Sequence, residues 1–262
     1  MINGKLDQDL HGPIYDMSGL GFKRGEVIVI SGAGSGIGKA TALASAKSGL
    51  AVGVWDMDIE GAKATAREIE QSGGRAVAVA VNVAEDAAVA KAWDATHALG
   101  PCRYLVNNAG PGSSSTAPFY DNLMIAVGSV HRVTMSWLER YPEDAASVVS
   151  ISSVAGNFQG GGSSIQPFYP AAKGAIAAYT RYLATRYKGS PRANAVAPGF
   201  TVTPRTIPRL EHPGMLENIA RIPMGRAGHP EDIASAVLYL LSPAAAYVNG
   251  VLLPVDGGWI HA

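Results

Sequence analysis

The stretch "VIVISGAGSGIGKATA", residues 27–42, joins a β-branched apolar run to an alanine-rich run through a glycine-rich turn. The first run predicts a buried strand and the second run predicts a helix. The turn leaves the first N–H groups of this helix open at the positive end of its dipole, which suits a pyrophosphate. A tight turn that binds nothing is the alternative. We expect the turn to hold a dinucleotide through Gly32, Ser35, Gly36, Ile37 and Gly38.

The alternation of apolar β-rich runs and alanine-rich runs continues from this stretch to the end of the sequence. Most predicted strands are continuously apolar, which is typical of strands covered on both faces. They span residues 27–31, 51–56, 76–82, 104–107, 147–152, 192–196 and 252–255. The predicted helices span residues 36–48, 59–72, 84–99, 123–140, 168–187 and 231–241. This order predicts an α/β Rossmann fold, a doubly wound seven-stranded parallel sheet with helices on both faces. No linker divides it, so we expect one dinucleotide-binding catalytic domain, residues 24–262, after an N-terminal extension, residues 1–23.

The composition excludes several classes of protein. Of the 262 residues, 47% are hydrophobic and 16% are charged, and 21 basic residues balance 21 acidic ones, so broad binding of nucleic acid or of an anionic membrane is not expected. Cys102 is the one cysteine, which excludes an intrachain disulfide and a cysteine-built metal site; we expect no metal. Residues 233–255 carry no charge, but Ser-Pro and Asn-Gly pairs interrupt them, so we expect no membrane span. The N-terminus has no apolar signal-like core, and we expect a cytoplasmic protein.

An acidic residue ends the second predicted strand. Asp56 lies 20 residues beyond Gly36, where a carboxylate can accept hydrogen bonds from the adenosine ribose and repel a 2′-phosphate. The neighbouring Ser35 and Met57 are uncharged, whereas Lys39, further into the helix, is the one basic group nearby. A solvated loop acid is the alternative. We expect NAD as the cofactor in preference to NADP.

Six short motifs occur in a fixed order. They are "SGAGSGIG" (31–38), "NNAG" (107–110), "SISSVAG" (150–156), "YPAAK" (169–173), "NAVAPGFTVT" (194–203) and "VDGG" (255–258). Together they resemble the short-chain dehydrogenase/reductase family over residues 25–258, with a weaker similarity to its bacterial hydroxysteroid dehydrogenase/carbonyl reductases.

The resemblance implies a Ser-Tyr-Lys catalytic site. Tyr169 and Lys173 are four residues apart and so share one helix face. A free tyrosine has a pKa near 10, and a neighbouring ammonium would favour the phenolate that the reaction needs. Lys173 would also bind the nicotinamide ribose, and Ser153 would orient the substrate oxygen; Ser152 is the neighbouring alternative. The implied reaction moves hydride between the nicotinamide and a secondary alcohol or ketone.

The resemblance also implies further cofactor contacts. Besides the glycine loop, Tyr169 and Lys173, the expected cofactor residues are Asp56, Met57, Asn82, Val83, Asn108, Ala109, Gly110, Pro198, Gly199, Val202 and Thr203.

Two features depart from the family pattern. Counting back from Ser153 places Ala126 where most relatives have the asparagine of a proton relay, and Asn122 is one helical turn earlier. Neither residue is assigned the relay role. A glycine-rich insertion, residues 159–164, separates Ser153 from Tyr169; it either shapes the substrate entrance or is a surface loop without substrate contact.

The substrate loop is predicted at residues 200–226, with Arg205 and Arg209 in it. Apolar walls are expected from Phe158, Ile165, Phe168 and Met215. They favour a hydrophobic secondary alcohol or its ketone, with a cyclic or steroid-like skeleton as one option. A 3-oxoacyl-thioester reductase is the alternative, since the arginines could meet its phosphates. A methyltransferase has no use for the Ser-Tyr-Lys set, and a non-catalytic NAD-binding scaffold is a remote alternative.

Residues 231–258 are too apolar for a solvated face. The resemblance implies that this segment pairs with its copy in a homodimer, and that a tetramer forms through the predicted helices 123–140 and 168–187.

Overall fold

The computed structural model describes residues 12–159, 165–210 and 213–262. The strands are β1 (Val27–Ser31), β2 (Ala51–Asp56), β3 (Arg75–Ala80), β4 (Cys102–Asn107), β5 (Ser147–Ile151), β6 (Arg192–Pro198) and β7 (Leu252–Val255). The helices are α1 (Gly36–Lys47), α2 (Ile59–Gln71), α3 (Asp86–Thr96), α4 (Phe119–Arg140), α5 (Phe168–Arg186), α6 (Ile207–Leu210), α7 (Pro213–Ala220) and α8 (Pro230–Leu241). The strands form one parallel sheet in the order β3-β2-β1-β4-β5-β6-β7, which confirms the predicted fold class.

The sheet is buried on both faces, which explains the continuously apolar strands. Within β1, Ile28 and Ile30 pack into a core with residues of α1, α2 and α8. Val27 and Val29 point the other way, into a core with residues of α3, α4 and α5. Because successive side chains of a strand alternate between the two faces, the inner strands carry buried side chains at nearly every position, whereas the edge strands β3 and β7 are only partly buried.

Most predicted bounds agree with the structure within two residues, and the start of α4 is the main difference. The helix begins at Phe119, four residues before the predicted start. Pro118 precedes it with an extended backbone, as suits a residue just outside a helix. Phe119 and Tyr120 are exposed apolar side chains in the first turn, and they conceal the amphipathic pattern from which a helix is predicted. The structure also has α6 and α7 inside the predicted substrate loop.

The described part of the predicted N-terminal extension, residues 12–23, is docked on the domain. The N–H of Gly12 donates to Glu231 at the start of α8, and Met17 N–H donates to Ser48 Oγ at the end of α1. The ammonium of Lys47 donates to the carbonyl of Ile14 at 2.7 Å. Residues 1–11 of the extension lie outside the described residues. Among the helices of the described residues, none has the length and apolarity needed to cross a bilayer.

The order of the sheet determines where a ligand can bind. The chain runs outward from β1 to β3 and then returns to the other side of β1 as β4. In such sheets a crevice opens beyond the carboxyl ends of the strands at this switch point. The glycine turn after β1, Asp56 at the end of β2 and Ser153 just after β5 all lie at this edge.

Candidate active site

A single cavity of about 1080 Å³ opens at this edge of the sheet. Its wall includes the three predicted catalytic residues, Ser153, Tyr169 and Lys173. Of the expected cofactor residues, it also includes Gly32, Ser35, Gly36, Ile37, Asp56, Met57, Asn82, Val83, Asn108, Ala109, Gly110, Pro198, Gly199 and Thr203. The fold therefore brings together residues that are up to 171 positions apart in the sequence.

Two expected cofactor residues do not line the cavity. A Cβ added to Gly38 would lie 2.0 Å from the carbonyl oxygen of Gly32, so this glycine allows α1 to pack closely on the turn. Val202 is buried, and its N–H donates to the carbonyl of Gly228. Both residues support the wall from behind.

The glycine turn has the properties of an anion site. Ser35 is the N-cap of α1, and its side chain makes no capping hydrogen bond, so the first amides of the helix are not occupied by that side chain. Asn108 Nδ2 donates to the carbonyls of Ser31 and Gly32, both at 3.0 Å, which fixes the turn against the end of β4. These residues fit the pyrophosphate of a nicotinamide dinucleotide.

The carboxylate of Asp56 is held in place by backbone amides. Its Oδ2 accepts from the N–H of Gly34 at 2.8 Å and its Oδ1 accepts from the N–H of Asp58 at 3.0 Å. Lys39, the basic residue of α1 that follows the glycine turn, forms an ion pair with Glu68 at 2.7 Å and does not line the cavity. Asp56 is therefore the charged side chain on this part of the wall.

Tyr169 and Lys173 lie on one face of α5. The Lys173 ammonium is 5.5 Å from the centroid of the Tyr169 ring, and it donates to the carbonyl of Ile151 at 2.7 Å. Desolvation by the surrounding protein, and then repulsion by Arg205, lower the pKa of Lys173 to about 8. The group is still largely protonated at neutral pH, so a positive charge remains beside the Tyr169 phenol.

Ser153 and the helix that carries Tyr169 are joined by a clamp that the sequence pattern did not reveal. Asn157 Nδ2 donates to the carbonyl of Ser153 at 2.9 Å and to Ser152 Oγ at 3.0 Å. Ser152 Oγ donates in turn to the carbonyl of Lys173 at 2.8 Å. The Ser152 hydroxyl is thus used to hold α5, which leaves Ser153 as the better candidate for the substrate oxygen.

Gly156 lets the two halves of this site approach each other. Its φ is +86°, and an added Cβ would lie 2.1 Å from the carbonyl oxygen of Pro170. Only glycine combines this backbone conformation with such a close contact.

The remaining expectations concern the apolar walls, the position of the relay asparagine and the glycine-rich insertion. Ile165 and Met215 line the cavity, whereas the buried Phe168 and the exposed Phe158 are not part of its wall. Ala126 is buried and does not line the cavity. Asn122 lines it, but its Nδ2 donates to Ala117 and its Oδ1 accepts from Ser115, so its amide holds the adjacent loop. Of the glycine-rich insertion, residues 160–164 lie outside the described residues.

A family model described as enoyl-(acyl carrier protein) reductase matches residues 32–260. A galactitol 2-dehydrogenase (L-tagatose-forming) of Cereibacter sphaeroides is 34% identical, covering 90% of this chain and 95% of its own. A cis-4-hydroxycyclohexanecarboxylate dehydrogenase of Sinomonas cyclohexanicum is 36% identical, covering 89% of this chain and 96% of its own. With this fold and this site, the chain belongs to the short-chain dehydrogenase/reductase family of oxidoreductases, which act on CH–OH groups.

Two similar solved structures contain different nicotinamide cofactors. A protein assigned as an NAD(P)-dependent gluconate 5-dehydrogenase from Beutenbergia cavernae, with NADP bound at low occupancy, has a TM-score of 0.80 and 34% identity over 91% of this chain and 98% of its own. The 3-ketoacyl-(acyl-carrier-protein) reductase of Brucella melitensis, in complex with NADH, has a TM-score of 0.80 and 30% identity over 90% of this chain and 99% of its own. Members of this family thus bind a nicotinamide cofactor, which accepts or donates hydride when bound.

Proposed function

We propose that this protein is an NAD-dependent oxidoreductase that interconverts a hydrophobic secondary alcohol, of cyclic or steroid-like skeleton, and its ketone. The observation that carries the proposal is the meeting of Ser153, Tyr169 and Lys173 on one cavity wall beside the glycine turn. Ser153 donates a hydrogen bond to the substrate oxygen, and Tyr169 accepts the proton of the alcohol hydroxyl. Lys173 stabilises the phenolate and binds the nicotinamide ribose. A panel of secondary alcohols with NAD, with NADH absorbance as the signal, tests the proposal; the absence of turnover with every alcohol would contradict it.

Two other functions are compatible with parts of the site. A 3-oxoacyl-thioester reductase is supported by the similarity to the Brucella melitensis enzyme, and reduction of acetoacetyl-CoA in preference to every simple ketone would favour it. A non-catalytic NAD-binding scaffold would bind NADH without turnover of either class.

Cofactor preference is the first prediction. Because the Asp56 carboxylate is fixed on the wall and Lys39 is paired with Glu68, a 2′-phosphate would meet a negative charge without a basic partner. We expect NADH to bind at least tenfold more tightly than NADPH in a fluorescence titration, the effect of about 1.4 kcal/mol.

The Asp56→Asn variant is the matched control, because it keeps the size and removes the charge. Its ratio of NADPH to NADH dissociation constants should move toward one. Equal affinities in the unchanged protein would refute the assignment of Asp56.

We also propose a homodimer through residues 231–258, extended to a tetramer through α4 and α5. Within residues 231–258, the edge strand β7 is only partly buried, and Tyr239 and Tyr247 are exposed. On α4 and α5, Phe119, Tyr120, Met124 and Tyr182 are exposed. Light scattering should give two or four times the chain mass of 27.1 kDa at micromolar concentration. A monomer mass would reject both interfaces, and a stable dimer would reject the tetramer alone.

We also propose the extent of the catalytic domain and the compartment of the protein. We assign residues 24–262 to one catalytic domain in the cytoplasm, where a single cysteine such as Cys102 suits reducing conditions.

A further inference from the structure

The described part of the cavity wall carries one acidic side chain and three basic ones. Among the described residues of its wall, Asp56 is the one acidic side chain, and it ends β2. Lys173, Arg205 and Arg221 are the basic side chains of the same wall. The Lys173 ammonium donates a hydrogen bond to Ile151 of β5. Strand β5 is three strands away from β2 in the sheet, which corresponds to about 14 Å between the two strands at the usual spacing. The acid therefore belongs to the adenosine end and Lys173 to the reacting end.

Arg205 extends over the turn that follows the "NNAG" motif, at the reacting end. Its Cδ lies 3.0 Å from the position that a Cβ would take on Gly112, and its Cζ lies 3.7 Å from it. Its charge also contributes to the lowered pKa of Lys173. Two cations thus share the space in which the substrate has to bind.

Among the described residues, four arginines form ion pairs with acidic side chains, and the exposed Arg205 on the cavity wall is not one of them. Arg226 is paired with Asp232 and Arg140 with Asp94, both at 2.7 Å. Among the described residues, no acidic side chain forms an ion pair with Arg205. Two like charges in one cavity repel each other, and an anion bound between them would offset that cost.

We propose that Arg205 binds an acidic group of the substrate, so that the substrates are hydroxy acids or oxo acids with an apolar skeleton. The inference rests on the alcohol–ketone reaction proposed above and names its substrate class. Ile165 and Met215 on the same wall would contact the skeleton. Arg221, also on the wall, adds a second positive charge.

The pyrophosphate of the cofactor is the competing anion for Arg205. An added Cβ on Gly36 would meet Thr203 and Pro204 at 3.2–4.0 Å, whereas Arg205 contacts the Gly112 side. The glycine turn already offers amide donors to the pyrophosphate. The Arg205 side chain therefore lies nearer to Gly112 than to the Gly36 end of the glycine turn.

The test compares one ring with and without a carboxylate. With NAD as oxidant, 4-hydroxycyclohexanecarboxylate should have a higher kcat/KM than its methyl ester or cyclohexanol. The Arg205→Gln variant should lower kcat/KM for the acid ten- to hundredfold, the usual range for loss of a charge-assisted hydrogen bond. It should change the values for the two neutral alcohols by less than about twofold. Arg226→Gln is the matched control, since it removes the same charge from the same loop but lies outside the wall of this cavity.

A binding measurement makes the test independent of turnover. Calorimetry should show that cyclohexanecarboxylate binds the enzyme–NADH complex and that Arg205→Gln weakens this binding at least tenfold, while the dissociation constant of NADH itself stays within about twofold. A tenfold loss of NADH affinity would assign Arg205 to the pyrophosphate and overturn the inference. Equal use of acid and neutral alcohols by the unchanged protein and by Arg205→Gln would also overturn it. Reduction of acetoacetyl-CoA that depends on Arg205, without binding of the ring acid, would overturn it in favour of a thioester phosphate.

Failure of the proposed function can be distinguished from failure of the inference about Arg205. If no alcohol is oxidised, the reaction assignment fails, and the binding of cyclohexanecarboxylate still decides whether Arg205 forms an anion site.

Discussion

Replacement of Tyr169 by Phe should lower turnover by roughly two or more powers of ten while NADH affinity changes little. In the proposed reaction this hydroxyl exchanges the proton with the substrate, and loss of a general base or acid has an effect of this size. The ring itself remains, so its contact with Phe168 and the wall of the cavity are preserved. Steady-state kinetics with the best alcohol of the panel and a fluorescence titration of NADH measure the two quantities separately.

Two further variants test whether this loss is specific to the Tyr169 hydroxyl. Tyr182→Phe makes the same chemical change on the same helix at an exposed position outside the cavity wall, and it should leave turnover unchanged. Lys173→Met should lower both turnover and NADH affinity, because the proposed function assigns its ammonium to both the phenol and the ribose. Near-normal turnover of Tyr169→Phe would overturn the mechanism.

Replacement of Gly156 by Ala should impair both stability and activity. An added methyl group would lie 2.1 Å from the Pro170 carbonyl oxygen, and an alanine at φ +86° has an unfavourable backbone conformation. The strain, together with the displacement of α5, should lower the free energy of unfolding by about 2 kcal/mol or more. Displacement of Tyr169 from Ser153 by about 1 Å would reduce turnover by about a hundredfold.

Urea unfolding and steady-state kinetics measure both effects. Gly19→Ala is the control, because Gly19 has no atom within 4 Å of an added Cβ and its φ is not in the left-handed region. It should unfold at nearly the same urea concentration as the unchanged protein. A Gly156→Ala enzyme with unchanged unfolding and turnover would show that this contact does not align the site.

The sequence-based account of the secondary structure is most accurate where local pattern and tertiary packing agree. The bounds of β1, β2 and β7 agree with the prediction, because each is an apolar run bounded by turn-forming residues. The start of α4 differs from the prediction by four residues and the end of β3 by two. The first turn of α4 is covered by exposed aromatic rings rather than by an amphipathic pattern. Strand β3 is at the edge of the sheet, where its pairing with β2 sets its ends.

The residues of the candidate site were likewise predicted only in part. Sequence reasoning could predict that the glycine turn, Ser153, Tyr169 and Lys173 meet at one site because their short motifs resemble those of the family, and Asp56 because it ends the second predicted strand. Gly38 and Val202 belong to such motifs too, but they face the packing side of the wall. The expected walls from Phe158 and Phe168 were wrong, because an apolar side chain near a motif can point into the core or into solvent.

The sequence by itself thus determined the order of strands and helices and the class of sheet, which follow from periodicity, and the motifs that resemble those of the family indicated residues that meet at the cavity. The tertiary structure alone decided the contacts between distant segments. It joined Asn157 to the backbone of Ser153 and Lys173, brought Gly156 against Pro170, docked residues 12–23 on α1 and α8, and laid Arg205 over Gly112. Such contacts depend on how helices pack across the sheet, and no local pattern encodes the partner of a side chain on another element.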